Sequence, residues 1–275
     1  MTTPNAPRKR SGKSADVAFF LCMSSASASF VLLIVVMILA DVVFVSIDDF
    51  IAVFSKPEIR FSFYLTILTC TLATIWSLLV ATPLAYLLSR YQFPLKWLVD
   101  AIVDIPIVLP PLVLGLSLLI LFHGNWQIDA WLREHTGIEI TFNWPAIVIA
   151  QFAVSCAFAV RTMRVAFDQM NPRAEEVART LGCTRSKAFF QIALPQSTRG
   201  LITAGTIAWS RSLGEFGPIM VFAGATRMKT EVLSTSVFLE LSVGELNSAV
   251  AISLVMVAMA LIVLVILRAM GLERS

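Results

Sequence analysis

The chain has 275 residues, 57% hydrophobic and 14% charged, with a mean hydropathy of +0.82. Soluble domains carry about a quarter charged residues, so a water-soluble fold is excluded and an all-α polytopic membrane protein is expected. The net charge of +3 is modest; where the charges sit matters more than their sum, and nucleic acid is not expected as a partner.

Residues 1–16 form a polar tail with Arg8, Lys9, Arg10 and Lys13. Gly12-Lys13-Ser14 is no phosphate loop, because Pro7 stands at the required upstream glycine and no strand precedes it. Apolar character continues to Ile47, too far for a cleaved signal segment, so residues 17–60 hold a first span within Ala18–Ser46 and an outer connector. Further spans are expected at about 63–88, 97–122, 144–167, 201–223 and 246–267, six in all. Each has about 20 residues, enough to cross about 30 Å of hydrocarbon at about 1.5 Å per residue. Pro83 is expected to kink the second, and Trp126 and Trp131 to sit at an interface in the loop before the fourth. Residues 268–275 form a short charged end.

Six spans place both termini on one side. The tail, the 90–96 turn, the 161–199 region and the end carry 15 lysines and arginines; the other side has five, Lys56, Arg60, Arg133, Arg227 and Lys229. The positive-inside rule therefore puts both termini in the cytoplasm. Cys22, Cys70, Cys156 and Cys183 lack paired spacing, and His123 and His135 make no metal motif. Neither metal nor cofactor is expected.

Asp100 and Asp104 lie one turn apart near the inner end of the third span, where pairing with Arg90, Arg161 or Arg164 is expected. Pro106, Pro110 and Pro111 then remove backbone donors, which suits a broken helix facing a cavity. In the fifth span, Arg211 lies about 16 Å deep at the standard rise, with Glu215 one turn later. Gly214, Gly217 and Pro218 loosen that helix. Arg211, Ser212, Gly214, Glu215 and Phe216, with the three prolines, are the expected translocation path.

Between the fourth and fifth spans lies a polar island, 171–195, NPRAEEVARTLGCTRSKAFFQIALP. Asn171 suits a helix cap, Glu175 and Glu176 its first turn, Gly182 a left-handed stop and Thr184 a second cap. Val177, Leu181, Phe189, Phe190 and Ile192 supply apolar ridges. The spacing of Glu176, Ala178, Gly182, Ile192, Leu194 and Pro195 resembles the EAA loop of ATP-binding-cassette importer permeases, with Val177 where the pattern has a second alanine. DAIVDIPIVLPPLVLGLSLL, GIEITFNWPAIVIAQ and RSLGEFG resemble the molybdate and sulfate permease family, and the likeness covers most of 61–264. The chain departs from that family at Ala157, often proline, and at Gly224–Thr230, which lacks the usual GN-x-x-G-K-T.

The resemblance implies a type I importer permease fold with a cytoplasmic coupling helix, in which Glu175, Glu176, Ala178, Gly182, Ile192, Leu194 and Pro195 engage an ATPase. It further implies a bacterial or archaeal inner membrane location and a homodimer, with two copies of a separate ATPase and an extracytoplasmic solute-binding protein. The chain itself would be no enzyme, and its cargo an oxyanion such as molybdate, tungstate or sulfate. The residues alone leave open an ion-coupled carrier with Asp100, Asp104 and Glu215 as relay, which the island argues against. An intramembrane enzyme lacks both a Gly-x-Ser-x-Gly elbow and a His-Glu-x-x-His motif.

Overall fold

The computed structural model describes residues 12–124 and 128–272. Expectations on Arg8, Lys9, Arg10, Trp126 and Arg274 fall outside these residues, as do the side chains of Lys13 and Arg268. The chain divides into two compact units, one ending at Ser46 and one beginning at Ile47.

The first unit is a single helix, α1 (Gly12–Phe44), whose start lies inside the stretch expected as tail. Its 29-residue apolar part, Asp16–Phe44, is ample for a crossing. Two of its hydroxyls bond within the helix: Ser25 and Ser29 donate to the carbonyls of Cys22 and Ala26, at 2.9 and 2.8 Å.

The second unit begins with α2 (Ile47–Ser55) and α3 (Pro57–Arg90). The latter starts six residues earlier than expected, because Pro57 fits a first turn where no N–H is needed. Pro83 lies inside α3 without ending it. The third expected span is two helices, α4 (Lys96–Val108) and α5 (Pro111–His123), bent by 112°. Pro110 and Pro111 are the cause, since neither supplies the donor that would continue α4. The carbonyl of Pro110 instead starts α5, accepting from the N–H groups of Val113 and Leu114 at 2.9 and 3.2 Å.

Next come α6 (Ile128–Thr136) and the long α7 (Trp144–Gln169). The island follows as α8 (Arg173–Thr180), α9 (Arg185–Ala188), a π turn at Phe189–Ala193, and α10 (Leu194–Gln196). The fifth expected span is again divided, into α11 (Thr198–Leu213) and α12 (Gly217–Phe222). Between the fifth and sixth expected spans lies α13 (Leu233–Val243), and α14 (Leu246–Leu272) is the last helix described. Among the described residues, four helices are each long and apolar enough to cross a membrane, and the bent pair counted as one span makes five; the fifth expected span, divided at Gly214, forms no such helix.

The scaffold is α3 packed on α7, with α11 against both. Small side chains let these backbones approach: Ala73, Ala81 and Ala85 on α3, Ala150 and Ala159 on α7, Ala204 and Ala208 on α11 are all fully buried. Two apolar clusters result, one around Met163 and Phe167, the other around Ile147 and Phe222. Between them lies a polar layer. Ser77 and Ser155 share a hydrogen bond at 2.8 Å, and the Gln151 amide donates to the Ser212 carbonyl at 3.1 Å. In a membrane such polar contacts specify register, because their alternative is an unpaired group in hydrocarbon.

Candidate functional site

The island folds as its local signals dictate. The Asn171 side chain accepts from the Arg173 N–H at 3.0 Å, and α8 begins. Gly182 has a φ of 91°, the left-handed geometry that glycine adopts without a Cβ penalty. It donates to the Arg179 carbonyl, and Cys183 to that of Ala178, which closes the helix end. Thr184 caps α9 by accepting from the Lys187 N–H at 3.3 Å. Pro195 lies in the first turn of α10. Its missing N–H falls just after the π turn, where the Leu194 N–H reaches back five residues to the Phe189 carbonyl, so the chain stays helical to Gln196.

The two glutamates of α8 have opposite fates. Glu175 is only 7% exposed and turns into the permease: it accepts from the Tyr86 hydroxyl at 2.6 Å and from Arg90 Nε at 3.1 Å. Arg90 also donates to the Met170 carbonyl at 3.3 Å, and the Tyr86 ring packs on Phe167 and Phe189. Glu175, with buried Ala178 and Ala193, therefore anchors the loop on the end of α3. Glu176, Gly182 and Pro195 are exposed, and Ile192 and Leu194 half-buried. Val177, Leu181 and Phe190 stand exposed beside Glu176 and Gly182, an apolar surface on an otherwise polar loop.

Several of the residues expected on a path are also brought together. The break between α4 and α5 packs on the break between α11 and α12: a Cβ on Gly115 would lie 2.8 Å from the Pro218 Cα, and one on Gly217 2.8 Å from the Pro111 Cβ. Only glycine permits this approach. Pro106 lies in the body of α4, one turn before the bend. Arg211 and Glu215 are paired at 2.8 Å although the helix ends between them, at Gly214. The Glu215 side chain is 3% exposed and that of Arg211 41%, with its guanidinium carbon 5.0 Å from the centre of the Phe158 ring. Ser212 is buried, and the Phe216 ring lies tilted against that of Phe238 on α13, centres 5.3 Å apart.

All three candidate relay carboxylates are bound to arginines. Asp104 is held by Arg161 through two bonds, at 2.7 and 2.6 Å, and Asp100 by Arg164 at 2.5 Å; Glu215 has Arg211. The pairing expected for Asp100 and Asp104 is thus present.

Sequence reasoning missed a second ionic cluster, in the segment between α12 and α14. Glu240 of α13 is buried and accepts from Lys56 at 2.8 Å and Arg227 at 3.0 Å. Burial acts to raise its carboxyl, but the two cationic donors prevail and hold it below the ordinary value. Nearby Glu231 accepts from the Ser236 hydroxyl at 2.8 Å and leaves its other oxygen unpaired; there burial prevails and raises the carboxyl. A glutamate inside the apolar run LSTSVFLELSV was the available signal.

A helical bundle built from membrane-length spans, broken at two apposed points and presenting an anchored loop with an apolar outer face, has the make-up of a transporter's transmembrane component. The chain belongs to the family of binding-protein-dependent transport system inner membrane components, which it matches over residues 77–271. It is 35% identical over 212 residues to the sulfate transport system permease protein CysT of Escherichia coli K12, covering 77% of this chain and 76% of that one. To the molybdenum transport system permease protein ModB of the same strain it is 33% identical over 203 residues, 74% of this chain and 89% of that one. Its fold is shared with a bacterial alginate ABC transporter solved with an alginate pentasaccharide-bound periplasmic protein, at a TM-score of 0.73 and 18% identity over 96% of this chain and 97% of that one. The methionine ABC transporter MetNI in an inward-facing form gives a TM-score of 0.62 at 18% identity, over 79% of this chain and 96% of that one. The chain is accordingly an ABC importer permease of the molybdate and sulfate type.

Proposed function

We propose that the protein imports a tetrahedral oxyanion, molybdate or sulfate, as a homodimer that forms the path, receives its cargo from an extracytoplasmic binding protein and is driven by two copies of a separate ATPase. The observation that carries this reading is the loop between α7 and α11. It is fastened inward by Glu175 while Val177, Leu181, Phe190 and Glu176 face out. An apolar patch on a polar loop stands at a cost in water and gains when a partner covers it. The family's dependence on binding proteins and the substrates named for CysT and ModB support the cargo and the delivery.

The loop faces the cytoplasm in this reading, as the excess of basic residues on its side requires. ATP-driven movement of the ATPase would rock the loop, and with it α3 through Arg90 and Tyr86, so that the cavity opens alternately to each face. The test combines uptake and topology. Proteoliposomes with the permease, ATPase and binding protein are expected to accumulate labelled molybdate or sulfate only with ATP inside. Single cysteines at Asp129 and Thr226 are expected to react with an impermeant reagent added to cells, and one at Thr184 to stay unlabelled. Labelling at Thr184 would reverse the orientation and remove the coupling role.

A further inference from the structure

The Arg161–Asp104 pair has the geometry of a buried structural bridge and the accessibility of a surface one. Both bonds are short and each reaches a different carboxylate oxygen, yet 60% of the arginine side chain and 33% of the aspartate side chain are open. Arg161 lies eight residues before the end of the 26-residue α7, about 12 Å along the helix from the loop at the standard rise. An open ion pair at such a depth does not face hydrocarbon; charged side chains inside membranes face water-filled cavities or other protein.

Phe158, three residues earlier on the same face of α7, carries the second guanidinium over its ring, that of Arg211. Arg211 is itself part open, and its Nε has no hydrogen-bond partner. It lies thirteen residues into its own strand of the path from the Thr198 start of α11, so about 20 Å from the loop. Two arginines thus follow one another along one face, at two depths, with an aromatic ring between them. Two residues beyond Asp104 is Pro106, leading into the α4–α5 break.

We propose that Arg161 is an anion station on the translocation path, inward of Arg211, and that Asp104 is its displaceable placeholder. This rests on the oxyanion-importer reading. A carboxylate and a tetrahedral oxyanion offer a guanidinium the same pair of acceptor oxygens, so one replaces the other on the fork without rearrangement. While the path is empty, Asp104 occupies the Arg161 fork. When the anion arrives from Arg211, Asp104 gives up the seat and then competes for it. That competition keeps the site weak enough to release, as conduction through successive sites requires.

The test uses the reconstituted complex with its ATPase and binding protein, with labelled molybdate and sulfate as probes. Uptake of neither by the wild type would remove the oxyanion reading itself, before any variant is compared. Given uptake, the exchanged pair Asp104→Arg with Arg161→Asp keeps the attraction between the helices and takes the cation off α7. We expect it to assemble at the wild-type melting temperature and to lose uptake by about tenfold or more, the scale of a lost charge-assisted fork. Asp104→Asn, which removes the competitor and leaves the cation, is expected to increase the thermal shift that molybdate or sulfate gives the detergent-solubilised permease–ATPase complex without binding protein. Wild-type uptake by the exchanged pair, or an anion shift in Asp104→Asn no larger than in the wild type, would overturn the station and leave Arg161 a structural partner of α4.

Discussion

The Arg90 guanidinium lies 3.1 Å from the Glu175 carboxylate, and Tyr86 one turn back donates to its other oxygen at 2.6 Å. The last turn of α3 is thereby joined to the first turn of the loop helix. Glu175→Ala leaves Arg90 unpaired in a nearly closed site, and removing one partner of such a pair costs about 3 kcal/mol. The expected result is a lower melting temperature of the purified permease. Glu176→Arg, one residue on and exposed, is expected to change stability by less than about 0.5 kcal/mol while abolishing ATPase association. Equal instability in the two variants would contradict the division of labour between the neighbours.

Glu240 yields a pH dependence with a definite sign. Its carboxyl is held below the ordinary glutamate value by Lys56 and Arg227. A depressed acid stabilises the fold above its unfolded value, and that stability fades as the pH falls through the folded one. Glu231 is raised by burial, so its contribution has the opposite sign: full below the unfolded value, lost as the pH rises through the folded one. Glu240→Gln is therefore expected to flatten the acid side of the melting-temperature profile. Glu231→Gln is expected to stabilise the protein at neutral pH and to remove the gain on acidification, so that its acid side falls more steeply. Thermal melts across the acid range separate the two.

Arg211 and Glu215 respond differently to single and double replacement. Arg211→Met alone strands the buried Glu215 carboxylate, at about 3–5 kcal/mol, and the purified complex should be unstable. Arg211→Met with Glu215→Met removes both charges, and the melting temperature should largely return. Oxyanion uptake is expected to stay lost in the double variant. Full uptake there would show the pair to be scaffolding.

Gly115→Ala probes the contact between the two helix breaks. The new Cβ would stand 2.8 Å from the Pro218 Cα, a backbone atom with no rotamer to yield. Overpacking of this kind costs about 1–3 kcal/mol. Its effect should fall on transport as well as stability, because the α5–α12 contact is where both broken spans meet. Unchanged melting and uptake would mean that the two breaks slide apart freely.

Much of this molecule is legible from adjacent residues alone. Hydropathy marks the stretches long enough to cross a bilayer, and capping chemistry sets the punctuation of the loop at Asn171, Gly182 and Thr184, because both depend on a few neighbours in sequence. The break at Pro110-Pro111 is local for the same reason: a missing N–H acts where it stands. Which way a residue faces is not local. Glu175 and Glu176 are the same side chain in the same helix turn, and only Tyr86 and Arg90, more than eighty residues earlier, bring one inside. Asp104 finds Arg161 across 57 residues and Lys56 finds Glu240 across 184. The 112° bend likewise exceeds what prolines dictate, since they forbid a straight helix without choosing a direction. Packing chooses it, through the space that Gly115 and Gly217 leave for Pro218 and Pro111.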